Sequence, residues 1–307
     1  MINRSVIVGS RGSRLALIQT ELVLADLRPR RPDIDFRIKT VKTRGDREHA
    51  TSLAAIGGEG IFVKEIEEEL LAGGIDFAVH SLKDMPTELD PRFSLAALCM
   101  RVDARDAFVS GSGELLSELR PGATVGTGSE RRSAQIRAFR SDIRVVPLRG
   151  NIGTRLKRVG SGLDGIVIAA AAMLRMGWGD RITEFLPVDS FLPAAGQGAL
   201  AVETTASNRD MTDLLSPLDE WAVRQSVQAE RALLKELGGG CRAPIAALGR
   251  VDEGILELEA MLGASDGSRV LRAVEQGSAE TPEAVAERLA RRLLSLGGAD
   301  LIPGRSQ

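Results

Sequence analysis

Six short segments constrain the fold of this chain more than any other feature. SVIVG (Ser5–Gly9), FRIKTV (Phe36–Val41), DFAVH (Asp76–His80), ATVG (Ala123–Gly126), IRVVPL (Ile143–Leu148) and GIVIA (Gly165–Ala169) read as strands. Helical stretches alternate with them: Leu15–Leu27, Lys64–Leu71 (ended by Gly73 and Gly74), RRSAQIRAF, GTRLKRV and an alanine-rich run ending near Arg175. Strand, polar loop and helix in repetition, with largely unalternating apolar runs, predict an α/β fold with a largely parallel sheet covered on both faces. Small-residue stretches at Ser110–Gly113 and at LPAAGQGA (Leu192–Ala199) suggest joints or crossovers. No internal repeat or low-complexity segment stands out.

The last third changes character. Ser216-Pro217-Leu218-Asp219 signals a helix start, and that helix should run to about Leu237 and end at Gly238. APIAALGRV, ILELEAML and RVLRAVEQ read as strands, with a turn at Asp266-Gly267, and a last helix begins at Thr281-Pro282-Glu283. This predicts a small C-terminal α+β domain of about 85 residues.

At 307 residues there is room for two or three cores. No apolar run suits a membrane span or, at the N-terminus, a secretory signal. Two cysteines without a pairing pattern point to a reducing cytoplasm, and two distant histidines without a Cys/His cluster point away from zinc. A net charge of −2 and 3% aromatics, with no tyrosine, disfavour a basic, base-stacking nucleic-acid binder. Any strong anion site has to be assembled locally by the fold.

Ligands of open α/β sheets sit beyond the carboxyl ends of the strands. Those ends deliver Ser10, Arg11 and Ser13; Ser81, Lys83 and Asp84; Thr127, Ser129, Arg131 and Arg132; Arg149 and Arg155; and, further along, Arg175. Each has a bland reading. GTGS is a tight turn with a serine cap as readily as a ligand loop, Arg131-Arg132 suits a solvated helix face, and Lys83-Asp84 suits a surface pair. Together they suggest a polyanion site. Helix N-termini favour anions and are ordinarily furnished with acids rather than arginines, and the guanidinium fork matches carboxylate or phosphate. Asp84, one carboxylate among many cations, stays ionised and could stabilise a cationic intermediate or relay a proton. His49 and His80 read as structural or incidental, and Cys99, within SLAALCM, as a buried small hydrophobe.

Cys241 follows three glycines in LGGGCRAP. A position just past a helix C-terminus raises a thiol's pKa, with Arg242 a partial offset, so it does not resemble a helix-activated nucleophile. A covalent attachment point fits better; packing under a loop is the alternative.

VHSLKD, GTGSERR, LRGNIGTRL, LPAAGQGA and GGGCRAPI, in this order from about residue 5 to the end, closely resemble the porphobilinogen deaminase (hydroxymethylbilane synthase) family. The resemblance implies a transferase that condenses four porphobilinogen molecules into linear hydroxymethylbilane with loss of ammonia, in tetrapyrrole and haem biosynthesis. It implies a dipyrromethane cofactor joined by a thioether to Cys241. Each pyrrole carries an acetate and a propionate, so a cluster of arginines is what the ligand's chemistry demands. Ser81, Lys83, Asp84, Thr127, Ser129, Arg131, Arg132 and Arg155 would hold the cofactor. Arg11, Ser13, Arg149, Arg155, Arg175, Phe62 and Gln197 would serve the substrate and the growing chain. Asp84 would be catalytic, contacting pyrrole nitrogens and stabilising the azafulvenium cation left by ammonia.

The family fold implied is two α/β, periplasmic-binding-protein-like lobes on mixed, mostly parallel sheets, 1–100 with 198–217 and 104–194, plus a small C-terminal α+β domain, 218–307, that carries the cysteine. A cytoplasmic monomer without metal, nucleic acid or membrane is implied. The sequence departs from the family pattern in RGS followed by Arg14, where RQS and proline are common. It also has Ala55 and Glu59 where lysine is frequent, and Gly128 and Glu130 within GTGSERR. Rival readings are a non-catalytic two-lobed anion binder, which would need no thiol, and a phosphate-handling transferase, which would want a fuller phosphate loop or a metal-holding acid cluster.

Overall fold

The computed structural model describes residues 5–43, 60, 63–238 and 243–302. The chain forms two compact units, residues 1–101 with 199–224 and residues 102–198 with 225–307.

The first unit is a five-stranded sheet in the order β2-β1-β3-β10-β4, with β1 Val6–Arg11, β2 Phe36–Val41, β3 Phe77–Ser81, β4 Phe93–Cys99 and β10 Leu200–Thr205. β1 pairs in parallel with β2 and β3, while β10 runs antiparallel to β3 and β4. Alternate residues of one strand enter different cores. Val6, Val8, Phe77 and Val79 pack with Val23, Leu24 and Leu27 of α1 (Arg14–Arg30), whereas Ala78 packs with Ile66 and Leu70 of α2 (Lys64–Leu71). Burial on both faces is why these strands read as unbroken apolar runs.

The second unit repeats this plan in the order β7-β6-β8-β5-β9: β5 Asp106–Ser110, β6 Thr124–Thr127, β7 Arg144–Pro147, β8 Gly165–Ala169 and β9 Glu184–Phe185. β6 is parallel to β7 and β8, and β5 is antiparallel to β8 and β9. α3 (Glu130–Phe139) follows β6, α4 (Ile152–Leu156) follows β7 and α5 (Ala170–Arg175) follows β8. The same unit holds an antiparallel sheet of β11 (Ile245–Asp252), β12 (Ile255–Gly263) and β13 (Val270–Ser278). Leu233 and Leu237 of α7 (Trp221–Leu237) and Val285, Leu289 and Leu293 of α8 (Pro282–Ser295) share a core with this sheet. The turn joining β12 to β13 touches α3: Arg137 Nη1 donates to Ser265 O at 2.5 Å.

The lobes therefore share a sheet order that no sequence repeat announced, and a local device marks it. Asp76 directly precedes β3 and its Oδ2 accepts the N–H of Ile7 on β1 at 2.7 Å. Asp164 directly precedes β8 and its Oδ2 accepts the N–H of Thr124, at the start of β6, also at 2.7 Å. In each lobe an aspartate pins the neighbouring parallel strand at its start.

Three expectations are revised. The strands legible in the sequence are the parallel ones; β4, β5, β9 and β10, which make every antiparallel pairing of the lobes among the described residues, were not read as strands, so each sheet is half parallel. Ser110–Gly113 is not a joint but the turn closing β5, where Ser110 Oγ accepts from the N–H groups of Ser112 and Gly113. The chain changes unit at Arg101/Val102 and again at Gly198/Ala199, inside LPAAGQGA. The helix expected from Ser216 begins only at Trp221, after a short 3-10 turn at Ser216–Leu218. The acids after that turn serve β4 and the residue beyond it: Asp219 Oδ1 accepts from Leu98 N at 2.7 Å, and Glu220 Oε1 from Met100 N at 2.5 Å. α6 (Arg209–Leu215) completes the elements of the first unit.

Candidate functional site

In the first unit, strand ends and helix starts place five of the expected residues. Arg11 closes β1, and Ser13 caps α1 by accepting from Ala16 N at 3.2 Å. Ser81 closes β3 and is hydrogen-bonded to the buried Gln19, whose Nε2 donates to Ser81 Oγ at 2.8 Å. The next residues form a single 3-10 turn, Leu82–Asp84, anchored by the buried Leu82. That turn leaves Lys83 half-buried and Asp84 exposed. His80, one residue before Ser81, is structural: its Nε2 lies 2.9 Å from Glu203 Oε2, and both side chains are buried. Nearby Glu67, on α2, is pushed up to about 7 by burial and by the charge of Glu203, with His80 opposing.

In the second unit, the end of β6 and the start of α3 build the most concentrated site. Thr127 is buried and accepts from Ser129 N at 3.4 Å, and Ser129 caps α3 by accepting from Arg132 N. Arg131 and Arg132 are not a solvated face: their exposures are 5% and 6%. Both converge on Asp106 at the start of β5, itself fully buried. Arg131 reaches it through Nη1 at 2.7 Å and Nη2 at 3.3 Å, and Arg132 through Nε at 3.0 Å and Nη2 at 2.8 Å. Gln197 is fully buried too; its Nε2 donates to Asp106 Oδ1 at 2.8 Å and Ala104 O at 2.7 Å, and its Oε1 accepts from Arg132 Nη2 at 3.2 Å.

Burial opposes ionisation of Asp106, but the charges of Arg131 and Arg132 outweigh it and hold the carboxyl well below its ordinary range. Arg131 is lowered, first by burial and, against the pull of Asp106, by the like charge of Arg132. Two guanidiniums face one carboxylate, and Arg131 Nε has no hydrogen-bond partner among the described residues. A buried donor without an acceptor beside an excess positive charge fits an anionic ligand, a carboxylate in particular.

The remaining cations flank this cluster on the chain. Arg149 lies between β7 and α4, Arg155 Nε donates to Gly150 O at 2.7 Å, and Arg175, at the end of α5, donates through Nη2 to Gly198 O at 2.7 Å. All three are half-buried. Phe62, Cys241, Arg242, His49, Ala55 and Glu59 lie outside the described residues.

Two acids were missed at the sequence level. Asp106 heads the apolar run AFV, and an ionised residue leading a run of buried strand residues requires a paired cation, which was the available signal. Glu230 of α7 is fully buried and accepts from Gly196 N at 2.6 Å and Gly249 N at 2.7 Å, tying the crossover segment to β11. Nothing local in VRQSVQAERALL distinguishes it from a surface acid. Among the described residues there is no group of three acids, histidines or cysteines placed to hold a metal ion, and no helix long and apolar enough to cross a membrane.

Residues 6–213 match the family model described as porphobilinogen deaminase, dipyromethane cofactor binding domain, and residues 224–295 match its C-terminal domain. The chain is 45% identical over 302 residues to the porphobilinogen deaminase of Desulforudis audaxviator, covering 98% of each chain. It is 46% identical over 303 residues to that of Deinococcus radiodurans, covering 97% of this chain and 98% of the relative. Among solved structures, a double mutant of the Bordetella pertussis BvgS VFT2 domain aligns with TM-score 0.40 and 17% identity over 69% of this chain and 84% of its own, a likeness too slight to bear on function or fold. With a buried, positively charged site in the lobe that the cofactor-domain model covers, and two relatives matched end to end, the chain belongs to the porphobilinogen deaminase family.

Proposed function

We propose that the protein condenses porphobilinogen into a linear tetrapyrrole with release of ammonia, on a dipyrromethane held through Cys241. The observation that carries this reading is the buried pair Arg131 and Arg132 sharing one carboxylate, Asp106, with Arg131 Nε left over. The dipyrromethane supplies the primer for chain growth and brings acetate and propionate carboxylates. Arg131 and Arg132 would grip those groups, with Lys83, Ser81, Thr127, Ser129 and Arg155 completing the hold. Ser13 and Ser129 accept a backbone N–H as caps and still have a hydroxyl proton to donate. Arg11, Ser13, Arg149, Arg155 and Arg175, with Phe62, would take the carboxylates and rings of the incoming substrate. Gln197, fully buried, would act by fixing Arg132.

Asp84 is the residue we assign to the chemistry. Its exposed carboxylate would accept pyrrole N–H groups and stabilise the positive charge that develops as ammonia leaves. It would also hold or pass the proton given up at the reacting carbon. The half-buried guanidiniums of Arg11, Arg149, Arg155 and Arg175 would orient the substrate by its carboxylates and leave the ring to Asp84. The lobe boundaries 1–100 with 198–217 and 104–194, a C-terminal domain 218–307, a monomeric state and a cytoplasmic location complete the proposal. Asp84→Ala tests it: the variant should fold and carry the cofactor yet lose nearly all ammonia release from porphobilinogen, whereas normal turnover would refute the role.

A further inference from the structure

We propose that Asp106 is a positioning residue that neutralises one of two buried arginines and no more, so that the cluster remains one negative charge short until a ligand carboxylate arrives. The proposal rests on the reading of this cluster as the cofactor's carboxylate site. Its geometry is specific. Asp106 Oδ1 receives four donors, Arg131 Nη2, Arg132 Nε, Arg132 Nη2 and Gln197 Nε2, while Oδ2 receives Arg131 Nη1. A carboxylate has about four lone-pair positions, so this one has little left to offer Arg131 Nε. The backbone does not supply the shortage: Leu192 O accepts from Arg131 Nη1 at 2.6 Å and from Gln135 Nε2 at 3.1 Å.

An ion cluster built for stability alone would be balanced, because taking an uncompensated charge out of water is costly. Among the described residues this one holds two cations and one anion, all at least nine-tenths buried, with an orphaned donor on the cation side. Asp106 also sets where the forks lie. One oxygen serves both guanidiniums, so both planes are fixed before any ligand binds.

The test compares unloaded protein, made with Cys241→Ala, and loaded protein, checked by intact mass, each with and without Asp106→Asn. Without Asp106 the unloaded cluster holds two uncompensated charges, and the expected loss is about 10 °C in unfolding temperature. In the loaded protein the ligand's carboxylates stand in for Asp106, and the expected loss is less than half as large. Equal losses in the two forms would overturn the proposal for Asp106 alone. A wild-type protein that never gains the cofactor's mass would overturn the cofactor reading and this inference with it. Should Asp106→Asn not fold, the pair Asp106→Asn with Arg132→Gln restores the native buried charge and is expected to fold. A pair that also fails to fold would show that Asp106 acts through its hydrogen bonds rather than its charge, and would refute the proposal.

Discussion

Replacing Glu230 by glutamine is the sharpest structural perturbation available in the second unit. Its side chain has no exposure, and its two oxygens each accept one backbone N–H, from Gly196 at 2.6 Å and from Gly249 at 2.7 Å. Glutamine keeps one acceptor and turns an NH2 toward the other N–H, leaving a buried donor facing a donor. An unsatisfied buried group costs about 1–3 kcal/mol, and the opposed donors add to it, so the expected loss is about 2–4 kcal/mol. For a unit of this size that is a fall of about 5–15 °C in unfolding temperature. Glu230→Ala loses both acceptors and leaves a cavity, and should cost more. The chain has two tryptophans, of which Trp178 packs against a core of the second unit and Trp221 opens α7. Fluorescence-detected urea unfolding in a Trp221→Phe background therefore reports on the right unit. The crossover held by Gly196 carries Gln197, so the same variant should also lower turnover. A change below about 0.5 kcal/mol for glutamine, or glutamine costing more than alanine, would refute the reasoning.

Three further outcomes are expected. Glu67, raised to about 7 by burial and by Glu203, binds a proton in the folded state that the unfolded chain has released. Its contribution is complete below the ordinary carboxylate range and is lost as pH rises through about 7. Partial exposure limits it to about 1 kcal/mol. Wild type should lose that much relative to Glu67→Gln between pH 5 and pH 8, and parallel stability profiles would contradict the assignment. Gly249→Ala would place a Cβ 2.7 Å from Ser226 O and 3.0 Å from its Cα, both on a helix backbone, and should cost about 1–3 kcal/mol in urea unfolding. Gly12→Ala, with open space around the new Cβ, should change stability by less than about 0.5 kcal/mol and serves as its control.

What could be read from the sequence followed physical lines. β1, β3, β6 and β8 were legible because strands buried on both faces are written as continuous apolar runs. β4, β5 and β10 were hidden by Ser94, Asp106 and Glu203, polar residues in buried strands. For Asp106 and Glu203 the partners, Arg131 and His80, come from distant parts of the chain. Arg11, Lys83, Arg131, Arg132 and Arg149 were legible because they lie at a strand's end or in the first turn of the helix after it, whereas Arg155 and Arg175 sit near the ends of α4 and α5. The counter-charge of Arg131 and Arg132 was not, since Asp106 precedes Arg131 by 25 positions and only the sheet order brings them together. Ser216-Pro217 misled for a similar reason: it opens a 3-10 turn, and the acids after it reach β4 and the residue beyond it.

The central claim is that a primer built from substrate is bound to one thiol and held by buried arginines. Intact mass of the purified protein, with peptide mapping around Cys241, tests it most directly. The account predicts an added mass equal to a dipyrromethane on the peptide containing Cys241, or its appearance on incubation with porphobilinogen. A thiol that stays unmodified after that incubation, or an adduct on Cys99, would contradict it.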